Sequence, residues 1–482
     1  MDQHTPGPGT SVHRQEPPPV GFALPLVIAT GMFMSQLDST IVATATPQMA
    51  ESLGVGPLSL NLAITSYLIT MAVFIPISGW CADRFGPRRV FCAALGVFCL
   101  GSVLCGVADS LTMLIAMRVL QGLGGAMMTP VGRLIMIRSF SKSQLITAMN
   151  YISLPALIGP TVGPLIGGAL TTYLSWRWIF YINLPIGVLG IVMAQLVIGD
   201  FATPPPGRFD LRGFLLIGAG LGLFAVAIEG LGRHLLPWPA ETGLFVLTAT
   251  LLGGFALHVR RIADPVVDLR VFRIKAFRIG TLAGGLSRCA MGAIPFLLPL
   301  LFQVGFGLDP MASGSLTFVT SIGAMVNKTV VRIVLRGFGF RRLLTGNALF
   351  LGLMIAGVAL FRADTPHWAI WAYLLVLGFV RSVQLTSVNA LVYSDLTPDV
   401  MSKATSISSV MQQLSMSVGV AIGAMLLGLL AGPGGNPTAR DFIPVFIAIA
   451  TLPAIAGLAF LRLDPAAGAH VTGHRARIGQ PG

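Results

Sequence analysis

Apolar residues along this chain neither alternate nor keep to one helical face; they run on without interruption. A helix needs about 20 apolar residues to cross a bilayer core. Runs of that kind lie near 21–45, 58–79, 90–108, 111–135, 144–170, 178–199, 211–230, 240–259, 277–303, 311–335, 342–361, 368–392, 404–430 and 441–462. They predict an all-α integral membrane protein with fourteen transmembrane helices. The connections are short and polar, or rich in Gly and Pro, and leave no room for a sizeable soluble domain. Residues 1–20 are polar and carry Pro6, Pro8, Pro17, Pro18 and Pro19. They read as a disordered tail, not a cleaved leader. Residues 465–482 read as a second tail.

Composition fits lipid as the main solvent. Of 482 residues 54% are hydrophobic and only 10% charged, against about 25% charged in soluble domains. The net charge of +13 would suggest nucleic acid in a soluble chain, but here the placement of the charges decides. If the N-terminus is cytoplasmic, 23 of the 31 Lys and Arg residues fall in inside segments and four outside: Arg177, Arg233, Arg362 and Arg440. That bias puts both termini in the cytoplasm and removes the need for a nucleic-acid partner. Trp176, Trp178, Trp238, Trp368 and Trp371 fall near outer span ends, where indole rings favour the headgroup layer. The five cysteines sit in or beside apolar runs with no metal-type spacing, and read as buried small hydrophobes.

The chain repeats itself. Phe85-Gly86-Pro87-Arg88-Arg89 follows the second span, and Phe338-Gly339-Phe340-Arg341-Arg342 follows the tenth. Two six-helix halves around an inserted pair put these loops in equivalent places. The halves are 21–199 and 275–464, with the pair in 200–274. Repeated bundles that rock about a midplane site are the usual construction of secondary transporters. In the first loop, Gly79 and Gly86 permit close approach and a tight turn. Asp83 is placed to pair with an arginine or to cap the next helix, among Arg84, Arg88 and Arg89. Such a contact can join two bundles in one state and release in the other; the plainer reading is a basic loop that only fixes topology.

Charges inside spans are few. Asp38 lies about seven residues from the outer end of its span and Arg118 about eight, which at 1.5 Å per residue puts both roughly 10–12 Å deep. Equal depth permits pairing, and a lone charge there costs roughly 2.5–3.5 kcal/mol. If the contact changes between states, Asp38 can take up a proton on one side and lose it on the other; the alternative is a static ion pair. Arg288, Lys328 and Arg381 lie in second-half spans. They can line a cavity, bind anionic substrate groups or balance carboxylates, and Lys328 can instead snorkel. Gly159, Gly163 and Gly167 share one helix face, with Pro160, Pro164 and Gly168 beside them, as in close helix packing.

Four segments carry a resemblance to a known family. Gly79-Trp80-Cys81-Ala82-Asp83-Arg84-Phe85-Gly86-Pro87-Arg88-Arg89 resembles the signature loop of the major facilitator superfamily. Leu37-Asp38-Ser39-Thr40-Ile41-Val42, ending at Pro47, looks like the first-helix motif of its fourteen-span drug:proton antiporters. Arg118-Val119-Leu120-Gln121-Gly122-Leu123-Gly124-Gly125 is similar to the fourth-helix motif of that group, and residues 159–168 to the fifth-helix antiporter motif. The resemblance covers residues 21–464. Residues 124–133 and 412–419 are similar to a multidrug-exporter branch of the group. The match departs from the pattern at Ala43-Thr44-Ala45, where an Asn-containing stretch is common, and the second-half loop keeps only fragments of its motif.

The resemblance implies a major facilitator fold in a bacterial inner membrane and export of small amphipathic compounds by proton antiport. It adds Glu229 to Asp38 and Arg118 as a proton-handling candidate, although Glu229 also suits a wet interface. It makes the fifth-helix face a closing face and Gln121 a cavity residue. Protons would be the coupling ion, with no cofactor. The bilayer, an amphipathic small molecule and other efflux components are the expected partners. A uniporter, importer or dedicated exporter of one endogenous metabolite shares the fold and stays open. No Gly-x4-Gly-Lys-Ser/Thr loop, metal-spaced His/Cys/Asp set or nucleophile elbow occurs, which argues against ATP-driven transport and against an enzyme.

Overall fold

A computed structural model describes residues 23–140, 142–199, 209–233, 237–262, 265–431, 437–464 and 467–468. Both predicted tails lie outside the described residues, apart from 467–468. With no water in the bilayer to satisfy peptide groups, each span must close its own hydrogen bonds, and the described residues are helical almost throughout. The first six helices are α1 Ala23–Ser52, α2 Pro57–Phe85, α3 Pro87–Gly106, α4 Leu111–Ser139, α5 Lys142–Tyr173 and α6 Trp178–Val197. The inserted pair is α7 Leu211–Arg233 and α8 Trp238–Val259. The last six are α9 Lys275–Gly305, α10 over 310–338, α11 over 340–360, α12 His367–Ser394, α13 Pro398–Leu430 and α14 Phe442–Phe460. Helix starts follow local chemistry. Ser110 accepts from the Met113 amide at 3.4 Å to cap α4, Asp309 accepts from the Ala312 amide at 2.8 Å to cap α10, and Pro87, Pro310 and Pro398 occupy first turns where a missing N–H costs nothing.

The two repeated loops share one backbone solution. Gly86 has φ 88° between α2 and α3, and Gly339 has φ 69° between α10 and α11. A side chain is disfavoured there, so each glycine lets one helix end and the next begin without a connecting loop. Gly79 differs from expectation: it is exposed, and a Cβ would meet nothing within 4 Å. No close approach depends on it.

Contacts between the halves are symmetric as well. α5 packs on α10, and α13 packs on α2, which are the same pair of helices under the repeat. The inserted helices pack on each other, and α7 seats against α2 and α13 at the seam. The segment after α8 is tied back by Asp268, which caps the turn at Leu269–Arg273 and accepts from Lys403 of α13 at 3.2 Å. Burial alone would raise the Asp268 carboxyl, but the Arg270 amide and the Lys403 ammonium hold it below the usual carboxylate range.

Candidate functional site

A cavity of about 270 Å³ lies at mid-height between the halves. α1 contributes Ser35 and Ser39, α2 Tyr67, α9 Phe296, α12 Arg381 and α13 Gln412. Among the described residues Arg381 is the one charged side chain on this wall. Gln412 also lines an open recess of about 310 Å³ reaching the end of the bundle that holds Arg133, Tyr393 and Met401. This arginine-rich end is the one where α1 begins and α14 finishes. Gln412 stands in the wall of both, and the recess opens at the basic end.

The opposite end is sealed by contacts between the halves. Gln303 of α9 donates to the Thr44 carbonyl at 2.8 Å and accepts from Gln48 at 3.0 Å. The Met311 amide donates to Thr172 at 3.1 Å. Deeper, in the cavity wall itself, Ser321 of α10 donates to the Pro160 carbonyl of α5 at 3.1 Å. That carbonyl is available because Pro164, four residues on, has no N–H to give it. Two turns farther along α5, at the sealed end, a Cβ on Gly168 would stand 2.5 Å from the Pro310 carbonyl oxygen. The fifth-helix motif thus serves two faces, not the single closing face expected. Gly159, Gly163 and Gly167 meet α1 inside their own half, and only Gly168 with Pro160 and Pro164 meets α10. Glycines every four residues share a stripe against one neighbour, so the contact across halves falls to residues off that stripe.

Behind the cavity wall, Asp38 and Arg118 pair at 2.6 Å with side chains 0% and 1% exposed. Arg118 Nε donates to the Ala63 carbonyl at 2.9 Å, and its Nη1 also donates to Gln121 at 2.6 Å. Gln121 Nε2 donates to the second Asp38 oxygen at 2.9 Å. Gln121 further contacts Ser102 at 3.3 Å, and Ser102 accepts from Asn183 at 3.0 Å. The Tyr67 ring covers the Arg118 guanidinium at 4.3 Å, and its hydroxyl lies 3.1 Å from Ser35. Tyr67 and Ser35 both line the cavity, so one side chain's thickness separates it from the ion pair. The pairing puts both residues at one level. α1 continues to Ser52, so Asp38 sits midway along it, whereas Arg118 is seven residues into α4.

The chain matches the Major Facilitator Superfamily model over residues 28–420. It belongs to the major facilitator superfamily. It is 37% identical over 450 residues to a protein named "Putative multidrug resistance protein MdtD" of Salmonella heidelberg (strain SL476), covering 91% of this chain and 94% of that one. The namesake in Serratia proteamaculans (strain 568) is 37% identical over 460 residues, covering 95% of each. Solved structures share the fold: the POT family transporter PepTSo at a TM-score of 0.67 and 16% identity, over 94% of this chain and 99% of that one, and the nucleoside transporter NupG at 0.58 and 13%, over 92% and 98%. As a facilitator the chain is a multi-pass membrane transporter and not an enzyme.

The other predicted residues of this facilitator fall as follows. Asp83 accepts from Arg138 at 2.7 Å, a contact between α2 and α4 within the first half and not a bridge across halves. Arg88 donates to the Ile198 carbonyl at 3.2 Å, while Arg84 and Arg89 are exposed. Of the cavity candidates, Arg381 reaches the wall. Gln121 and Arg288 stand behind it at 0% and 1% exposure, Gln121 because it serves the ion pair and Arg288 because it turns to Asn389 at 2.6 Å. The side chains of Glu229 and Lys328 lie outside the described residues. Sequence reasoning missed Tyr67 and Ser35 as the cover of the ion pair, and Gln48 and Gln303 as the seal. Gln303, an amide inside an apolar run, was the readable signal.

Proposed function

We propose that this facilitator is a proton-coupled exporter of small amphipathic compounds, working by alternating access in a bacterial inner membrane with both termini cytoplasmic. The observation that carries the reading is the fully buried Asp38–Arg118 pair set directly behind the cavity wall. Substrate enters from the basic end, taken as cytoplasmic on the positive-inside rule. Arg118 and Gln121 each hold one oxygen of the Asp38 carboxylate. A proton arriving from the outer side removes that charge, loosens Arg118 and alters the Tyr67–Ser35 cover that the substrate touches. One charge moved across 100 mV supplies about 2.3 kcal/mol, enough to drive a gradient of substrate. The names of the MdtD relatives agree with a drug substrate. No resident cofactor enters the scheme, and protons are the coupling ion.

The test is transport in inverted vesicles energised by a pH gradient. Asp38→Asn is expected to abolish gradient-driven accumulation of exported dyes while the protein still inserts and folds. Accumulation by the Asp38→Asn protein at the wild-type rate would refute the coupling role.

A further inference from the structure

The second half is electrostatically one-sided. Its helices carry Arg288, Lys328 and Arg381 near mid-span, yet the one carboxylate anywhere in α9 to α14 is Asp399, in the first turn of α13 at the basic end. In the first half Arg118 has Asp38. Arg381 has no such partner: among the described residues it makes no hydrogen bond or ion pair. Arg288, behind the wall, leaves Nε and Nη1 unsatisfied among the described residues and holds a neutral amide, Asn389, through Nη2.

We propose that Arg381 is the anchor for an anionic headgroup, a carboxylate or another oxyanion, on the transported amphiphile. The proposal rests on the export reading above and names its substrate class. Three features of the cavity support it. A guanidinium presents a planar fork of donors that matches an oxyanion with two parallel hydrogen bonds. Neutral donors stand in the same wall, Ser382 next in sequence to Arg381 and Gln412 and Gln413 on α13. Tyr67, Phe296, Met71 and Met416 supply an apolar and polarisable surface for the body of the molecule. A cationic amphiphile meets the opposite conditions. Arg381 repels it, and Asp38, the carboxylate behind the cavity wall, is sealed at 0% exposure with both oxygens occupied. Charge inside a membrane protein is expensive unless it is paired, so the substrate's own anion completes a site that the chain leaves uncompensated.

The experiment is equilibrium binding to the full-length protein in lipid nanodiscs, with three dansyl probes on one linker ending in a carboxylate, a primary amide or a trimethylammonium group. The carboxylate probe is expected to bind tightest. Arg381→Gln should weaken it by about tenfold or more while leaving the amide probe within about twofold, which also reports that the variant is folded. Arg381→Lys should keep part of the preference, since it keeps the charge and loses the fork. Three results overturn the proposal: the trimethylammonium probe binding as tightly as the carboxylate, Arg381→Gln weakening all three probes alike, or no binding of the carboxylate probe. Binding is read without any gradient, so a failure here leaves the Asp38 test standing, and a failure of gradient-driven export leaves this one standing.

Discussion

Arg118 and Gln121 each take one oxygen of the Asp38 carboxylate, and the Ala63 carbonyl and Tyr67 ring complete the surroundings of the guanidinium. Removing one member of such a pair strands the other charge in the interior. Arg118→Ala is therefore expected to lower unfolding stability by about 3–5 kcal/mol, read by chemical denaturation in mixed micelles. Adding Asp38→Asn to that variant should recover part of the loss, because the stranded charge goes with it; a double variant as unstable as the sum of the singles would contradict this account. Asp38 and Arg118 were legible in the sequence because a charge in an apolar run needs a partner. Gln121 was legible as a residue and not as a role. Neither the cover by Tyr67 nor the choice of Arg381 over Arg288 as the cavity-facing cation could be read, because these spans are apolar on lipid-facing and core-facing sides alike. Without an amphipathic stripe, the sequence does not reveal which way a helix is turned.

At the scale of elements, α5 shows how glycine and proline divide their tasks. The glycine stripe brings α5 against α1, Pro164 frees a carbonyl for Ser321, and Gly168 admits the backbone of α10. A methyl group at residue 168 cannot be absorbed by a side chain's swing, since its neighbours are Pro310 and Met311 backbone atoms. Gly168→Ala is expected to force α5 and α10 apart at the sealed end. In a cysteine-free background carrying one cysteine at position 44, beneath that seal, alkylation by a membrane-impermeant maleimide from outside should rise severalfold over the same protein with Gly168. Unchanged alkylation would place the seal elsewhere. The loop glycines were legible in part: Gly86 and Gly339 do turn the chain, whereas Gly79 faces open space.

The whole molecule is a pair of similar halves closed at one end and open at the basic end, with a buried acid–base pair in one half and a bare cation in the other. Fourteen spans and the repeat were legible because run length and a recurring Phe-Gly-x-Arg-Arg loop survive any rotation of the helices. The seal was not, since it depends on single polar side chains meeting across halves far apart in sequence. In the proposed cycle the charge on Asp38 decides which end is open, and the most direct test needs no substrate. Spin labels at positions 173 and 360, exposed sites at the ends of α5 and α11 away from the basic end, report the separation of the halves by pulsed electron resonance in nanodiscs. Asp38→Asn, which removes the charge that Arg118 pairs with, is expected to give a distribution clearly shifted from wild type at one fixed pH, because the balance between the open and sealed ends changes with that charge. An Asp38→Asn protein with the same distance distribution as wild type would contradict the central claim.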